Sequence, residues 1–390
     1  MRQSDDRIRT THTGSLPRPP RLTELVFARQ EGREVDRDEL RSAVVDATAD
    51  VVRRQRDAGI DIVSDGEMNK PGFVNYIGQR LSGFGGEGRP WSLADMDDLP
   101  DLVMALYGGP GGTHIKMPRC EGEIRYIGHD LVAEDIANLR AALGDDDAEA
   151  FIPAASPGCI AMGGENVHYP DYESYLGALA DAMREEYRAI VDAGFLLQLD
   201  CPDIPMMPHT TAWMADVYEQ IGFPRYVELQ LEALEASIAG LPADRIRMHL
   251  CWGNYAGPHT MDVPLEDVLE PALGASPAAI SFEGANPRHE HEWETLKTLS
   301  IPEDKILMPG VIDTKTNVVE HPRLIAQRIG RYAGIVGRER VIPGTDCGFA
   351  TFVGFGLVEP DVAWLKLEAL AQGAALASEE LWSGARTPAV

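Results

Sequence analysis

The stretch MHLCWGN, residues 248–254, decides how the rest of this sequence is interpreted. It continues the alternating run RIRM, residues 245–248, which is typical of a β-strand. Residues two apart in a strand point to the same side, so we expect His249 and Cys251 to project into one space. Such a pair can offer two ligands to zinc. The same pattern also suits a buried cysteine beside a hydrogen-bonded histidine, so the pair alone decides nothing.

Eight short apolar runs are predicted to be strands, and helical stretches separate most of them. The predicted strands are 8–13, 61–65, 151–155, 196–200, 245–251, 279–282, 306–311 and 341–344, and the main predicted helices are 36–58, 133–143, 172–193, 227–239, 322–336 and 360–381. Alternation of this kind favours a parallel α/β architecture, and eight strands favour a single (β/α)8 TIM barrel. We therefore predict one catalytic barrel domain over residues 1–390. The least regular part, 68–150, is interpreted as an insertion between the second and third strands that covers the barrel mouth.

Composition excludes several classes of partner. With 35 basic and 62 acidic residues the formal net charge is −27, which argues against nucleic acid and anionic membranes as partners. No apolar run is long enough to span a membrane, and the start has no signal-peptide pattern, so we expect a cytoplasmic protein. Five scattered cysteines, an odd number, argue against a disulfide framework and leave metal, catalytic or buried thiols.

Polar residues follow the predicted strands with regularity. These are Ser15, Asp65, Glu67, Asp200, His249, Cys251, Glu283, Asp313, Asp346 and Cys347. In α/β barrels the chemistry lies at the carboxyl ends of the strands. The candidate metal ligands are therefore His249, Cys251, Glu283 and Cys347. Two thiolates, one imidazole and one carboxylate suit Zn²⁺ and leave the site with a net formal charge of minus one.

A zinc site of this composition can exchange one ligand for an incoming thiol. Zinc-bound thiols are ionised at neutral pH, so the expected chemistry is attack of a substrate thiolate on an alkyl carbon. A closed structural zinc is the alternative, although such sites usually take paired cysteines from one local knuckle. His289 and His291 resemble a metal motif, but we expect them to be exposed at a helix start. A role for Cys201 near the mouth stays open.

The motifs resemble the catalytic domain of cobalamin-independent methionine synthase. The matching stretches are TGSLP 13–17, DGE 65–67, QLD 198–200, HLC 249–251, SFE 281–283, MPGVID 308–313 and PGTDCG 343–348. The resemblance implies a (β/α)8 barrel that holds zinc through the four candidate ligands. It also implies homocysteine as the acceptor, 5-methyltetrahydrofolate or a related compound as the methyl donor, and methionine as the product. The amino group of homocysteine is then expected near Glu67 and Asp200, and its carboxylate near Ser15.

Three departures from the family pattern bear on the donor and the pocket. The full-length family enzyme carries a second, N-terminal barrel, so this chain resembles the shorter core members. Lys315 stands where the family has a histidine that handles a proton at the donor, and Cys201 stands where it has a glutamate. We expect Asp313 and Lys315 to act near the donor as proton carriers. A polyanionic folate tail also suits this acidic chain poorly.

Other functions remain open from the sequence. The same thiolate could accept an alkyl or epoxide group in place of methyl, or the methyl group could come from a corrinoid protein. A zinc or thiol binder without catalytic activity is the alternative from another class. A nucleotide-binding Rossmann enzyme is not indicated, because no Gly-x-Gly-x-x-Gly follows a predicted strand. The expected partners are a small-molecule thiol and a methyl donor, and the oligomeric state is left open.

Overall fold

The strands of the fold are short and mostly apolar. In a computed structural model, the structure describes residues 1–383 except 87, 90–91, 109–117, 146 and 212, so parts of the predicted insertion lie outside the described residues. The described strands are β1 (Val63–Ser64), β2 (Phe84–Gly85), β3 (Ser92–Leu93), β4 (Arg119–Cys120), β5 (Ala150–Ala155), β6 (Glu165–Asn166), β7 (Leu196–Asp200), β8 (Thr210–Thr211), β9 (Ile246–His249), β10 (Ala279–Phe282), β11 (Ile306–Ile312) and β12 (Gly344–Thr345).

Seven of these strands form one parallel sheet within the described residues, in the order β1, β5, β7, β9, β10, β11, β12. Every residue of these strands is buried, as expected for parallel strands covered on both faces. The register pairs Asp200 with His249 and His249 with Ser281. The polar ends of neighbouring strands therefore meet at one edge.

Helices separate the sheet strands and cover them. The described α-helices are α1 (Pro20–Gln30), α2 (Arg37–Asp57), α3 (Pro100–Tyr107), α4 (His129–Leu143), α5 (Pro157–Gly163), α6 (Tyr172–Asp192), α7 (Asp203–Met206), α8 (Met214–Ile221), α9 (Phe223–Ile238), α10 (Leu265–Leu273), α11 (Pro322–Val336) and α12 (Pro360–Trp382). Short 3₁₀ segments are Asn75–Gln79, Ala94–Met96, Met207–His209, Ala243–Arg245, Glu290–Lys297 and Arg338–Arg340. In the part of the chain that the structure describes, no helix has both the length and the apolar character needed to cross a membrane.

The long helices begin where the sequence supplies a cap. Asp36 accepts hydrogen bonds from the backbone N–H groups of Asp38 and Glu39, and so starts α2. Asp171 caps α6 in the same way through Ser174. The predicted helices 36–58, 172–193, 322–336 and 360–381 are confirmed to within two residues, whereas α4 and α9 each begin four residues earlier than predicted.

The segment 8–13 closes the ring without forming a regular strand. Ile62 N donates to Thr10 O at 3.0 Å on one side, and Thr11 N donates to Pro343 O at 3.1 Å on the other. The segment therefore lies between the neighbourhoods of β1 and β12, the two ends of the sheet. The predicted TIM-barrel architecture is confirmed, and the prediction of a regular first strand is wrong.

Part of segment 68–150 packs at the carboxyl end of the barrel. β3 pairs antiparallel with β8, and β2, β4 and β6 form a separate three-stranded sheet. Leu93 and Met96 share a buried apolar cluster with Met162, Met206 and Tyr255, which follow β5, β7 and β9. The loops at this end therefore form one wall together with residues from the segment.

Candidate active site

Three potential metal ligands converge at the carboxyl end of the sheet. His249 ends β9, Cys251 lies two residues later, and Cys347 follows β12. One ligand atom from each of the three side chains lies within 4.8 Å of the other two, and all three residues are buried. The Sγ atoms of Cys251 and Cys347 are 3.5 Å apart, with both cysteines free. A hydrogen bond from Cys251, helped by His249, lowers the pKa of Cys347 to about 5, so one thiolate is already favoured.

The hydrogen bonding of His249 supports a metal ligand. Its Nδ1 lies 3.1 Å from Ser281 Oγ, which orients the ring. Its Nε2 is buried and has no hydrogen-bond partner among the described residues. A buried polar nitrogen without a partner is costly, and a metal ion would remove that cost. The residues present therefore fit a metal ion.

Glu283, the predicted fourth ligand, lies beside this cluster and is occupied by other partners. Its Oε1 accepts from Trp252 N at 2.9 Å, and its Oε2 accepts from Asn286 Nδ2 at 2.8 Å and Lys315 Nζ at 2.6 Å. Burial opposes ionisation of Glu283, but Lys315 together with nearby histidines lowers its pKa overall. The structure thus holds Glu283 as a carboxylate through a lysine.

Asp346 fixes the loop that carries Glu283, a contact that the sequence did not reveal. Its Oδ1 accepts from the backbone N–H groups of Gly284 and Ala285 at 2.9 and 2.8 Å. Its Oδ2 accepts from Asn286 N and Nδ2, each at 2.8 Å. The position of Asp346 after β12 was the available signal, whereas its partners on another loop were not predictable.

Two carboxylates line the cavity beside the cluster. Asp200 ends β7, and its Oδ1 accepts from Gln198 Nε2 at 2.7 Å. Glu67 adopts a positive φ of 60°, and its buried Oε2 has no hydrogen-bond partner among the described residues. Burial raises the pKa of Glu67 to about 8 and that of Asp200 to about 6. Such groups would gain a counter-charge from a bound ammonium.

Ser15 lies next to Gly348, the residue after Cys347, and its neighbour in sequence, Gly14, packs against Glu67. Ala350 N donates to Ser15 Oγ at 3.3 Å. A Cβ atom at Gly348 would lie only 2.0 Å from Ser15 Oγ, so the close approach of these two segments requires glycine. Ser15 also lines the cavity, where its hydroxyl could donate to an anionic group.

The two residues predicted to act at the donor lie outside the cavity wall. Asp313 N donates to Glu320 Oε1 at 2.8 Å, and Asp313 Oδ1 accepts from Lys315 N at 2.9 Å. The Lys315 side chain turns to Glu283. Neither Asp313 nor Lys315 is among the described residues that line the cavity.

The cavity has a volume of about 660 Å³ and two chemically distinct ends. The inner end is polar and the outer part is mostly apolar, with three phenylalanines and three methionines. The inner wall contains Ser15, Glu67, Asp200, His249, Cys251 and Cys347, and the outer wall contains Phe73, Leu93, Met96, Val103, Met104, Met206, Phe352 and Phe355.

His289 corrects an expectation, whereas His291 is exposed as expected. His289 is buried, with Nε2 2.8 Å from Asp262 Oδ2 and Nδ1 2.7 Å from Glu292 Oε2. Its ring packs against Trp252 with 4.6 Å between centroids. Hydrogen bonds to Asp262 and Glu292 outweigh burial and raise its pKa to about 9. The expectation of exposure for His289 is therefore wrong.

Cys201, whose role the sequence left open, is buried below the cavity. Its thiol lies 3.5 Å from Leu199 O, and its backbone N–H donates to His249 O at 2.8 Å. Burial raises the pKa of the thiol well above the usual range. The structure gives Cys201 a packing role.

Comparison with known proteins supports the family resemblance. Residues 8–100 match the family model described as the catalytic domain of cobalamin-independent synthase. The chain is 24% identical over 375 residues to a methionine synthase of Sulfolobus acidocaldarius, covering 95% of this chain and 93% of the relative. It is 26% identical over 381 residues to a methionine synthase of Pyrococcus furiosus, covering 97% and 95%.

Solved structures of related proteins show the same fold. A B12-independent methionine synthase from Shewanella sp. W3-18-1, in complex with selenomethionine, aligns with a TM-score of 0.73 at 22% identity, covering 97% of this chain and 99% of that one. A vitamin-B12 independent methionine synthase structure from Listeria monocytogenes aligns with a TM-score of 0.66 at 20% identity, covering 94% and 98%. The resemblance predicted from the motifs is confirmed along nearly the whole chain.

Proposed function

We propose that this chain is a zinc-dependent methyltransferase that moves a methyl group to the thiolate of homocysteine and so forms methionine. The methyl group would come from a small-molecule donor bound in the same cavity. One observation carries the proposal: the cluster of His249, Cys251 and Cys347 lies at the same end of the cavity as Glu67 and Asp200. That arrangement places a metal for a thiol beside carboxylates for an amino group. The relatives named methionine synthase support the same reaction.

The metal would be held by His249, Cys251 and Cys347, with Glu283 as the fourth protein ligand. One nitrogen, two sulfurs and one carboxylate oxygen form a set that zinc accepts. When bound, zinc would keep the acceptor thiol ionised at neutral pH, and a thiolate is the required nucleophile. In the metal-free protein Lys315 would hold Glu283 beside the cluster through the 2.6 Å contact between Nζ and Oε2, and zinc would take the place of this lysine. Asp313 accepts a hydrogen bond from the backbone N–H of Lys315 and would therefore affect Glu283 only through this lysine.

The acceptor would be oriented by side chains of the inner wall. Glu67 and Asp200 bind the ammonium group, since both are buried carboxylates and Glu67 Oε2 lacks a partner among the described residues. Ser15 donates from Oγ to the acceptor carboxylate. Contacts to both the amino group and the carboxylate would fix an amino acid in one orientation and bring its thiol toward the cluster.

The proposal extends to the organisation of the chain. We assign residues 1–390 to one catalytic domain, with segment 68–150 covering the barrel mouth. We also place the protein in the cytoplasm, because thiolate ligands need a reducing compartment and all five cysteines are free. A small-molecule thiol and a methyl donor are its expected partners.

The test replaces zinc with Co²⁺, whose absorption bands report thiolate ligation. Addition of homocysteine should intensify the sulfur-to-cobalt band, and the zinc-loaded protein should form methionine when the donor is added. C251S and C347S should weaken metal binding by at least about 100-fold and abolish methionine formation together, because each removes a thiolate ligand.

The matched control is C120S. Cys120 is equally buried but lies in β4, outside the cluster, so this variant should keep both its metal and its activity. A C251S or C347S protein that stayed active without metal would disprove the proposal.

A further inference from the structure

We infer that the methyl donor at this site is a methyl onium cation, a methylsulfonium or quaternary methylammonium compound, bound in the outer part of the cavity. The inference rests on the proposed function, because it uses the same thiolate acceptor. This outer chamber is bounded by the outer wall described above, including Phe73, Met96, Phe352 and Phe355, and also by Asp97 and Tyr255, which line the cavity as well. The inner end is taken up by groups suited to the acceptor, so the donor must occupy this chamber.

The described wall of the cavity suits an anionic donor poorly. Among its described lining residues there is no lysine or arginine, whereas Glu67, Asp97 and Asp200 are acidic. Lys70 and Arg18 lie behind Glu67 and are engaged with backbone carbonyls: Lys70 with Pro153, and Arg18 with those of Glu67, Lys70 and Ala350. A donor with several carboxylates or phosphates would therefore lose its hydration without ionic partners.

The mouth of the cavity is also acidic. Asp97, Asp98 and Asp101 are all exposed at the start of α3 or just before it. With a net charge of −27 for the chain, the approach to the cavity attracts cations and repels anions.

The aromatic residues of the chamber suit a diffuse positive charge. The rings of Phe73 and Phe352 meet edge to face with 5.3 Å between centroids. A Cβ atom at Gly72 would lie 2.5 Å from the Phe352 ring, so this ring is packed directly against the backbone. Onium methyl groups bind aromatic faces by cation–π attraction and lose little hydration on burial.

The chemistry of an onium donor also fits the residues near the site. The thiolate sulfur contributes an electron pair to the methyl carbon, and a carbon–sulfur bond forms. The bond from that carbon to the onium sulfur or nitrogen breaks, and its electron pair stays on the leaving atom as a neutral thioether or amine. No proton is needed at the leaving group. This agrees with Lys315 and Asp313 facing away from the described cavity wall.

The first experiment measures binding to the zinc-loaded protein by calorimetry. Trimethylsulfonium and choline are compared with 3,3-dimethyl-1-butanol, the neutral carbon isostere of choline. We expect both cations to bind at least about tenfold more tightly than the alcohol. Equal binding of choline and the alcohol would overturn the proposal, because a merely apolar chamber would not distinguish them.

Two charge-reversal variants test whether the cation binds inside the outer chamber. D97K should weaken trimethylsulfonium binding about tenfold, because it places an ammonium group on the cavity wall. D98K changes the net charge equally but lies outside the lining residues, so its effect should stay below about twofold. Equal loss in the two variants would contradict a bound cation in the chamber.

The second experiment measures turnover with homocysteine and one labelled donor at a time. Transfer of CD₃ to homocysteine from deuterated trimethylsulfonium or from deuterated tetramethylammonium supports the proposal. The labelled salt that reacts shows whether the donor is a sulfonium or an ammonium compound. Methionine from 5-methyltetrahydrofolate with none from either onium salt overturns it while the proposed function stands. No methylation by either onium salt, with homocysteine still altering the cobalt spectrum, also overturns it. Failure of homocysteine to alter that spectrum would instead refute the proposed function.

Discussion

Replacement of Lys315 by methionine should tighten zinc binding while it weakens the metal-free fold. Lys315 Nζ lies 2.6 Å from Glu283 Oε2, and the two side chains are 9% and 0% exposed. Methionine keeps most of the apolar stem of lysine and removes the ammonium group with its charge and its N–H donors. In the metal-free protein, Glu283 would then be a buried carboxylate without its lysine partner.

The size of the effect follows from the contacts that remain. Removal of one partner of a buried ion pair costs about 3–5 kcal/mol. Glu283 keeps its hydrogen bonds from Trp252 N and Asn286 Nδ2, so we expect the lower end, about 3 kcal/mol. Zinc bound by Glu283 would restore the missing positive charge. Since about 1.4 kcal/mol equals a factor of ten, zinc affinity should rise by about tenfold or more, up to ~100-fold.

Two measurements check this prediction. Urea unfolding of K315M with and without zinc gives the two stability losses, and competition with a chelator gives the zinc affinity. The control is K297M, because Lys297 and Glu294 form an exposed pair at 3.7 Å whose loss should cost less than about 1 kcal/mol. Unchanged or weaker zinc binding by K315M, or equal losses with and without zinc, would show that Glu283 does not exchange Lys315 for the metal.

Two further predictions concern pH and the organisation of the chain. Burial raises the pKa of Glu67 to about 8. In the folded protein Glu67 therefore keeps its proton up to about pH 8, whereas in the unfolded chain it loses the proton near pH 4.5. The contribution of Glu67 to the free energy of unfolding falls as pH rises from about 5 to 8. E67Q should flatten the stability of the metal-free protein over that interval, and an unchanged slope would contradict the assignment. Arg80, within segment 68–150, pairs with Asp135 and Glu186 while almost fully buried. R80M should lower the stability of the whole chain by about 3 kcal/mol in one cooperative transition, whereas R125M, at an exposed pair, should cost less than about 1 kcal/mol. A separate early transition in R80M would contradict a single domain.

Much of the barrel was predictable because a buried parallel strand needs a continuous apolar run. The predicted runs 151–155, 196–200 and 279–282 match β5, β7 and β10 to within one residue. Segment 8–13 is not a regular strand because side chains from other strands take two of its backbone carbonyls, Gln198 that of Thr13 and Arg247 that of His12. Arg247 Nη1 donates to Thr11 Oγ1 at 2.9 Å, and Nη2 donates to the backbone carbonyl of His12 at 2.6 Å. No local pattern indicates that an arginine inside the barrel will bond there.

The candidate site was predictable to the extent that it depends on strand ends. His249 and Cys347 meet because the parallel strands before them end at one edge of the sheet. Side-chain pairs between different loops were not predictable. The pairing of Lys315 with Glu283 and the burial of His289 both depend on loops whose mutual placement only the folded barrel defines.

Two departures from the family pattern lie beside retained residues: Cys201 follows Asp200, and Lys315 contacts Glu283. The motifs that would hold the metal and the acceptor, including DGE 65–67, HLC 249–251 and PGTDCG 343–348, are retained. Lys315 stands where the resemblance implies a histidine at the donor, and the described wall of the outer cavity provides the Asp97 carboxylate and aromatic rings without a lysine or arginine. A thiolate can attack many kinds of alkyl donor. It would form at the metal end of the cavity, whichever donor binds in the outer part. A change of donor therefore leaves the inner residues Glu67, Asp200 and Ser15 as they are.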